Sequence, residues 1–478
     1  MKRLDAEFDK WKTERDARPA QAVTSDLILD PGDPLPSARE FIARGHSSPD
    51  GCRWLHHYNS DFYGWTGSHY ATIRDDAIRA ALYEFLEPAQ HLKTIGENEQ
   101  LVPFKPTKSK CDNVLDALRA EAHLSVASLP AWIGGATGPD PAECIAVRNG
   151  ILHVPSMRLH PPSPRFFNVN ATDFDYTTAA PSPATWLKFL LDLWPDDEQA
   201  RDTLQEIMGL LLTLDTRYEK LFLIVGPPRS GKGTIARVLR ALVGLSNACG
   251  PTLSGLQNQF GLQGLVGKQL AIVSDARLGG KSDQSIIAER LLAISGEDAL
   301  SVPRKNRTDW EGKLSTRFLL LSNELPRIAD ASGALASRFI ILTMRRSFLG
   351  REDHDLTAKL LVELPGIFNW ALEGLHRLNE RGRFVMPESS TNAVAELEAL
   401  GSPVGAFVAD LCRVEPGRSI EAARLYEGWR AWCEGEGRDH PGNSATFGRD
   451  LMAAEQGITK RRHREFSRQA FYEGIDLI

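Results

Sequence analysis

The chain has 478 residues, a formal net charge of −6, and 42% hydrophobic and 25% charged residues. These are ordinary globular proportions, with length for two to four domains. They exclude a protein coated in positive charge, so any nucleic-acid contact must come from local basic patches.

The six cysteines (Cys52, Cys111, Cys144, Cys249, Cys412 and Cys433) are scattered and form no Cys-x-x-Cys pair. Cys52 with His56 and His57 lacks a second half-site for zinc. Scattered thiols suit a reducing cytoplasm. No run approaches the 18 or so apolar residues of a membrane span, and Met1–Lys10 reads as a charged helix start rather than a leader. A cytoplasmic protein with no membrane partner is expected.

Residues 1–20 are highly charged and read as a solvated helix or loose arm. Residues 20–50 are rich in Pro, Ser, Asp and Gly and read as an irregular linker. Between Arg53 and Ile73 aromatics alternate and Gly64 and Gly67 supply turns, which predicts a short β-meander. Its aromatics suit stacking on bases or, more simply, the core of a small sheet. An amphipathic helix follows over Asp76–Leu86, and another over 108–130 on Val114, Leu115 and Leu118. Residues 145–155 predict a hairpin turning at Asn149-Gly150, and the Pro-rich 160–183 a loop. From Thr185 the spacing of Trp186, Phe189, Leu190, Leu193 and Trp194 predicts a helix. A second runs from Glu198 to Leu214 on Leu204, Ile207, Met208 and Leu211.

Those helices lead into the most informative stretch. The apolar run Leu221–Val225 precedes Gly226, Pro227, Pro228, Arg229, Ser230, Gly231, Lys232, Gly233 and Thr234. Ile235, Val238, Leu239 and Leu242 then fall at helical spacing. Strand, Gly-x4-Gly-Lys loop and helix make a phosphate-binding loop. Its N–H groups and the helix dipole favour an anion, and Lys232 reaches toward the β- and γ-phosphates. Gly233 stands where a Ser or Thr normally ligates Mg²⁺. Either Thr234 takes that role one place later or the metal leans on other groups.

A second apolar strand, Gln269–Ser274, ends in Asp275, and an acid there stands at the mouth of a parallel sheet, a candidate for Mg²⁺. Its neighbours Ser274 and Ala276 offer no second acid, which leaves a water-activating base unassigned among weak candidates Glu289 and Glu297. A third strand, Thr316–Ser322, ends in Asn323, suited to orienting an attacking water or to capping the turn into Leu325-Pro326. Arg338, just before the strand Phe339–Leu342, is a candidate arginine finger acting in a neighbouring subunit, or else a surface ion-pair residue. Arg345 and Arg346 read as surface or interface charges. Between the second and third strands, Arg304, Lys305, Arg307 and Lys313 with Trp310 predict a hairpin with a basic tip, where cations either contact phosphates without reading sequence or are simply solvated.

The loop Gly226–Thr234, the strand ending in Asp275, Pro303–Arg307, Ser322–Pro326 and Ser337–Phe339 together resemble superfamily 3 helicases. They look most like the primase-helicases of phages, plasmids and poxviruses. The resemblance implies an α/β, AAA+-type core bound to ATP and Mg²⁺ and assembled as a homo-oligomeric hexamer. It also implies single-stranded or forked DNA drawn past Arg304, Lys305 and Arg307, and a separate primase or polymerase as a further partner. Residues 1–100 are short for a primase domain and carry no matching cluster of acids. The tail resembles a winged helix, with Leu425, Trp429, Trp432, Phe447 and Leu451 on helix faces. There Lys460, Arg461 and Arg462 (with Arg464 and Arg468) read as a basic DNA-contacting wing or a solvated charge run.

The expected segments are a charged arm with a small α+β region (1–95), a mostly helical domain (96–215), the ATPase core (216–350), a helical extension (351–388) and the winged-helix-like domain (389–478). The expected activity is ATP-driven DNA unwinding during phage, plasmid or mobile-element replication. The alternatives are an ATP-switched origin-binding assembly protein with weak hydrolysis, and a nucleotide kinase, because Gly-Lys-Gly-Thr also occurs there.

Overall fold

The structure is a computed structural model and describes residues 27–126, 128–276, 283–305, 307–326, 328, 330, 333–436, 441–455, 457–462 and 469–478. The expectation for residues 1–20 therefore lies outside the described residues. The chain divides into one compact unit of residues up to 136 with 164–169, and a second of 137–163 with 170–478.

In the first unit a three-stranded antiparallel sheet (Leu55–Tyr58, Asp61–Trp65, Tyr70–Ile73) presents alternate residues to two cores. Leu55 and Phe62 point into a cluster with Phe41, Ile42, Leu82 and Leu115, on helices Pro34–Gly45, Asp75–Leu86 and Lys108–Glu121. Tyr58, Tyr63, Trp65 and Tyr70 gather on the other face around the buried Phe167. The aromatic meander is thus core, with Tyr70 and Phe167 ring centroids 4.7 Å apart.

Two expectations fail here. Residues 34–45 form a helix rather than a linker: the Pro and Asp that read as punctuation are its first turn and cap, and Ala38, Phe41 and Ile42 are its buried stripe. The boundary expected after residue 95 falls inside a hairpin, Gln90–Ile95 with Asn98–Pro103. The Gln90 end of that hairpin bonds to Leu27 and Leu29.

The second unit opens with three antiparallel strands, Cys144–Val147, Gly150–His153 and Arg158–His160, so the region expected to be mostly helical carries a sheet. Val147 pairs with Gly150, which puts the two-residue turn at Arg148-Asn149. Asn149 accepts from the Tyr176 N–H and donates to its carbonyl, both at 2.9 Å.

Helices Ala184–Leu193 and Glu198–Leu210 then lead into five parallel strands: β1 (Leu221–Val225), β2 (Ala248–Cys249), β3 (Leu270–Val273), β6 (Arg317–Ser322) and β7 (Phe339–Thr343). Helix α1 (Lys232–Val243) follows β1 and helix α2 (Gln284–Ser295) follows β3. Strands β4 (Ala299–Val302) and β5 (Trp310–Lys313) form an antiparallel hairpin before β6. The spatial order is β2-β3-β6-β1-β7, so β6 lies between the strand before the glycine loop and the strand before Asp275.

Both faces of this sheet are buried, as its unbroken apolar runs require. Phe222, Ile224, Leu319, Leu321, Ile340 and Leu342 face α1 and the helices Glu198–Leu210 and Leu364–Arg381. Leu221, Leu223, Phe318, Leu320, Phe339 and Ile341 face α2 and the helix Glu388–Gly401. Arg317, fully buried with its pKa lowered by burial to about 10, donates to the carbonyls of Leu210, Thr213 and Asp215, joining the sheet to the end of the preceding helix.

The last segment runs helix (Pro403–Leu411), strand (Cys412–Glu421), helix (Ala422–Gly435), helix (Ser444–Ala454), then strands Thr459–Arg462 and Ala470–Leu477, with Ala470–Leu477 central in its sheet. Phe407, Trp429, Phe447 and Tyr472 form its core. Among the described residues no helix is long and apolar enough to cross a membrane.

Candidate functional site

The glycine loop leaves β1 at Val225 and enters α1 at Lys232. Two left-handed positions curl it back, Arg229 at φ 60° and Gly231 at φ 98°. Gly231 is the N-cap and carries no side chain to satisfy the first N–H groups of α1, so this helix end remains open to an anion. Ser230 is buried, and the Lys232 Nζ folds over the loop, donating to the carbonyls of Gly226 (2.5 Å) and Pro227 (2.9 Å) and to the Ser230 hydroxyl (3.2 Å). Burial lowers the Lys232 pKa; a bound phosphate would oppose that shift.

The segment after β7 buttresses the loop from outside. The Met344 N–H donates to Val225 O at 2.7 Å and the Phe348 N–H to Arg229 O at 3.0 Å. The Ser347 hydroxyl donates to Pro228 O at 2.8 Å, and Glu352 faces Arg229 at 3.6 Å. The sequence assigns residues 345–352 no part in the loop, Arg345 and Arg346 reading only as surface or interface charges, because no residue spacing signals a brace of this kind.

The two other strand ends are clipped beside the loop. The Gly226 N–H donates to Ser322 O (3.2 Å) and the Ala276 N–H to Leu321 O (3.0 Å), so the chain on each side of β6 is bonded to its C-terminal end. Asp275 and Asn323 are both exposed there. The structure thus brings the loop, Asp275 and Asn323 to one edge of one sheet.

Arg338 is not part of that cluster. It precedes Phe339, which pairs with Leu221 at the start of β1. A five-residue strand at about 3.3 Å per residue puts it roughly 16 Å from the loop edge. Its guanidinium donates to Leu292 O (3.0 Å) and the Ser295 hydroxyl (2.9 Å) and faces Glu219 at 3.5 Å. It therefore caps the end of α2 within its own chain. Glu297 lies at the same far edge, bonded to Lys313 (2.6 Å) and Thr216, which removes it as a base for the loop. Glu289 is exposed on α2.

In the β4–β5 hairpin the expected basic tip divides. Lys305 and Arg307 are exposed. Arg304 is 8% exposed and turned inward, its Nε donating to Thr308 O at 2.9 Å, so it staples the tip rather than offering charge to a partner. In the tail, Lys460, Arg461 and Arg462 form an exposed strand. The Lys460 Nζ lies 5.1 Å from the Tyr472 ring centroid and Arg461 is 3.1 Å from Glu473. Residues 463–468, including Arg464 and Arg468, lie outside the described residues.

The residues fit a polyphosphate well: an open helix start, a lysine over the loop and a carboxylate at the adjacent strand end. They fit a metal at Thr234 less well. The Thr234 hydroxyl accepts a bond from Arg237 at 3.1 Å, which would set Mg²⁺ beside a guanidinium. Asp275 is the exposed carboxylate at the strand end beside the loop.

Two families match this chain. Residues 39–195 match the family described as D5 N terminal like. Residues 224–338, which include the loop, Asp275, Asn323 and Arg338, match a family of unknown function, DUF5906. Solved structures of the NrS-1 C-terminal region are similar over most of the chain. The A form apo structure has a TM-score of 0.47 at 14% identity, covering 90% of this chain and 88% of that one. A second A form apo structure, of residues 305–718, has 0.48 at 12%, covering 93% and 100%. A further apo structure of that region has 0.46 at 12%, covering 93% and 99%.

Proposed function

We propose that this chain is an ATP-dependent replication motor of the primase-helicase type, with an AAA+-like core that works on single-stranded or forked DNA. The carrying observation is the convergence of the glycine loop, Asp275 and Asn323 at one edge of a parallel sheet in which β6 separates β1 from β3. The match of residues 39–195 to the D5 N-terminal-like family supports the primase-helicase part. In this reading the open start of α1 and Lys232 bind the β- and γ-phosphates. Asp275 would hold Mg²⁺, which supplies charge neutralisation at the phosphates when bound. Asn323 orients the attacking water.

Arg338 stands a strand length from its own loop, so a role at a phosphate requires a neighbouring copy, as in a hexameric ring. Lys305 and Arg307 are the tip cations offered to the strand. The helix–strand–helix–helix–strand–strand tail suits a winged helix whose exposed Lys460–Arg462 strand contacts duplex phosphates.

Nucleotide-dependent unwinding of a forked duplex tests the reading. Strand separation that requires ATP hydrolysis supports a motor. Assembly on DNA upon ATP binding without strand separation supports the switch reading, which the lack of a second acid beside Asp275 favours. Transfer of phosphate to a nucleoside monophosphate would instead indicate a kinase.

A further inference from the structure

Position 233 and the residue one helical turn later are spatially coupled. Gly233 has no side chain, and the Arg237 guanidinium lies in the space a side chain would take: a Cβ built at 233 would meet Arg237 Nη1 at 3.3 Å. Helical side chains lean toward the helix N-terminus, so Arg237 covers the first turn of α1 rather than its middle. Its donors go to two hydroxyls, Thr234 at 3.1 Å on its own helix and Thr357 at 3.2 Å on the neighbouring helix Leu356–Val362.

This is an adverse place for a cation. The N-terminal turn carries the positive end of the helix dipole, which repels a guanidinium, and Lys232 already adds a charge there. Arg229 on the same loop has a carboxylate, Glu352, facing it. Lys232 and Arg237 have none among the described residues; the donors of both end on carbonyls and hydroxyls. Two uncompensated cations held on a helix start that disfavours them make a site completed by a polyanion.

We infer that Arg237 is a phosphate-contacting residue of the nucleotide site, admitted by Gly233 and held in place by Thr357. The inference rests on the loop binding a nucleotide, as proposed above. It assigns to Arg237 part of the charge neutralisation that a metal at a Ser or Thr in position 233 would give. Binding then depends less on Mg²⁺ than the loop sequence alone suggests, and it scales with the number of phosphates.

The test is titration of the full chain with fluorescent ATP, ADP and AMP analogues, in EDTA and in Mg²⁺. The wild type is expected to bind ATP in EDTA. Arg237→Ala is expected to weaken ATP binding in EDTA by tenfold or more, ADP less and AMP least, with Arg237→Lys recovering part of the loss. Thr357→Val, which removes the tether and keeps the charge, should cost only a few-fold. Gly233→Ser should displace the guanidinium and make binding more Mg²⁺-dependent. Arg237→Ala and Arg237→Lys both binding all three nucleotides as the wild type does, while Lys232→Ala loses ATP, would overturn the role of Arg237 and leave the loop assignment standing. A wild-type chain that binds no nucleotide would overturn both.

Discussion

Replacing Lys305 and Arg307 by alanine separates a DNA-contacting hairpin from a solvated one. Each phosphate neutralised on a single strand contributes about 0.7 to the slope of log affinity against log salt. The structure leaves two tip cations exposed, because Arg304 is spent on Thr308 O. The double variant should therefore lower the slope by about 1.4 per engaged subunit. Between about 50 and 200 mM salt, affinity for single-stranded DNA should then fall roughly sevenfold less steeply than for the unaltered chain. Fluorescence anisotropy with a labelled oligonucleotide across a salt series reads this directly. Arg304→Ala serves as the contrast: it should lower thermal stability and change the slope little. An unchanged slope in the Lys305/Arg307 variant, or a larger slope change from Arg304→Ala, would refute the assignment.

Three further outcomes are expected. Glu206 is fully buried between helices and accepts from Arg377 (2.8 Å) and Arg381 (2.6 Å). Glu206→Ala should destabilise the second unit by about 3 kcal/mol, the low end for a broken buried pair because both arginines keep some solvent, read by urea unfolding. His56 is buried, its Nε2 has no hydrogen-bond partner among the described residues, and burial depresses its pKa from 6.5 to about 4. The unfolded chain then binds a proton that the folded one refuses as pH falls from 6.5 to 4, so His56 should cost the first unit about 3 kcal/mol across that window, beside a loss of the same sign from His46, whose pKa burial also lowers to about 4. Hydrogen exchange at Leu55–Tyr58 should show the loss, and His56→Leu should reduce it, leaving the share that His46 contributes. Arg338→Ala should inhibit ATP hydrolysis by wild-type chains beyond simple dilution when mixed in, because one defective face spoils a neighbour's site; inhibition linear in the fraction mixed would remove the trans role.

The sheet core was legible because parallel strands buried on both faces read as unbroken apolar runs, and the loop because its glycine spacing is set by backbone geometry. The order of the strands was not, since β6 enters between β1 and β3 by pairing register rather than by chain order. The helix Pro34–Gly45 was hidden by its own cap residues, which are also linker residues. Composition could not divide the hairpin cations, because an arginine bonding a carbonyl and one facing water are the same letter. The Gly233 and Arg237 pairing had a signal, a missing Ser or Thr followed four residues later by a cation. It gains meaning only once the helix places the two on one turn.

The central claim is that the loop, Asp275 and Asn323 form a nucleotide-hydrolysing site coupled to DNA. The most direct measurement is phosphate release from ATP by the purified chain, with and without single-stranded DNA, beside Lys232→Ala. The account predicts hydrolysis that DNA stimulates and that Lys232→Ala abolishes. Hydrolysis that survives in Lys232→Ala, or no ATP turnover by the unaltered chain with or without DNA, would contradict it.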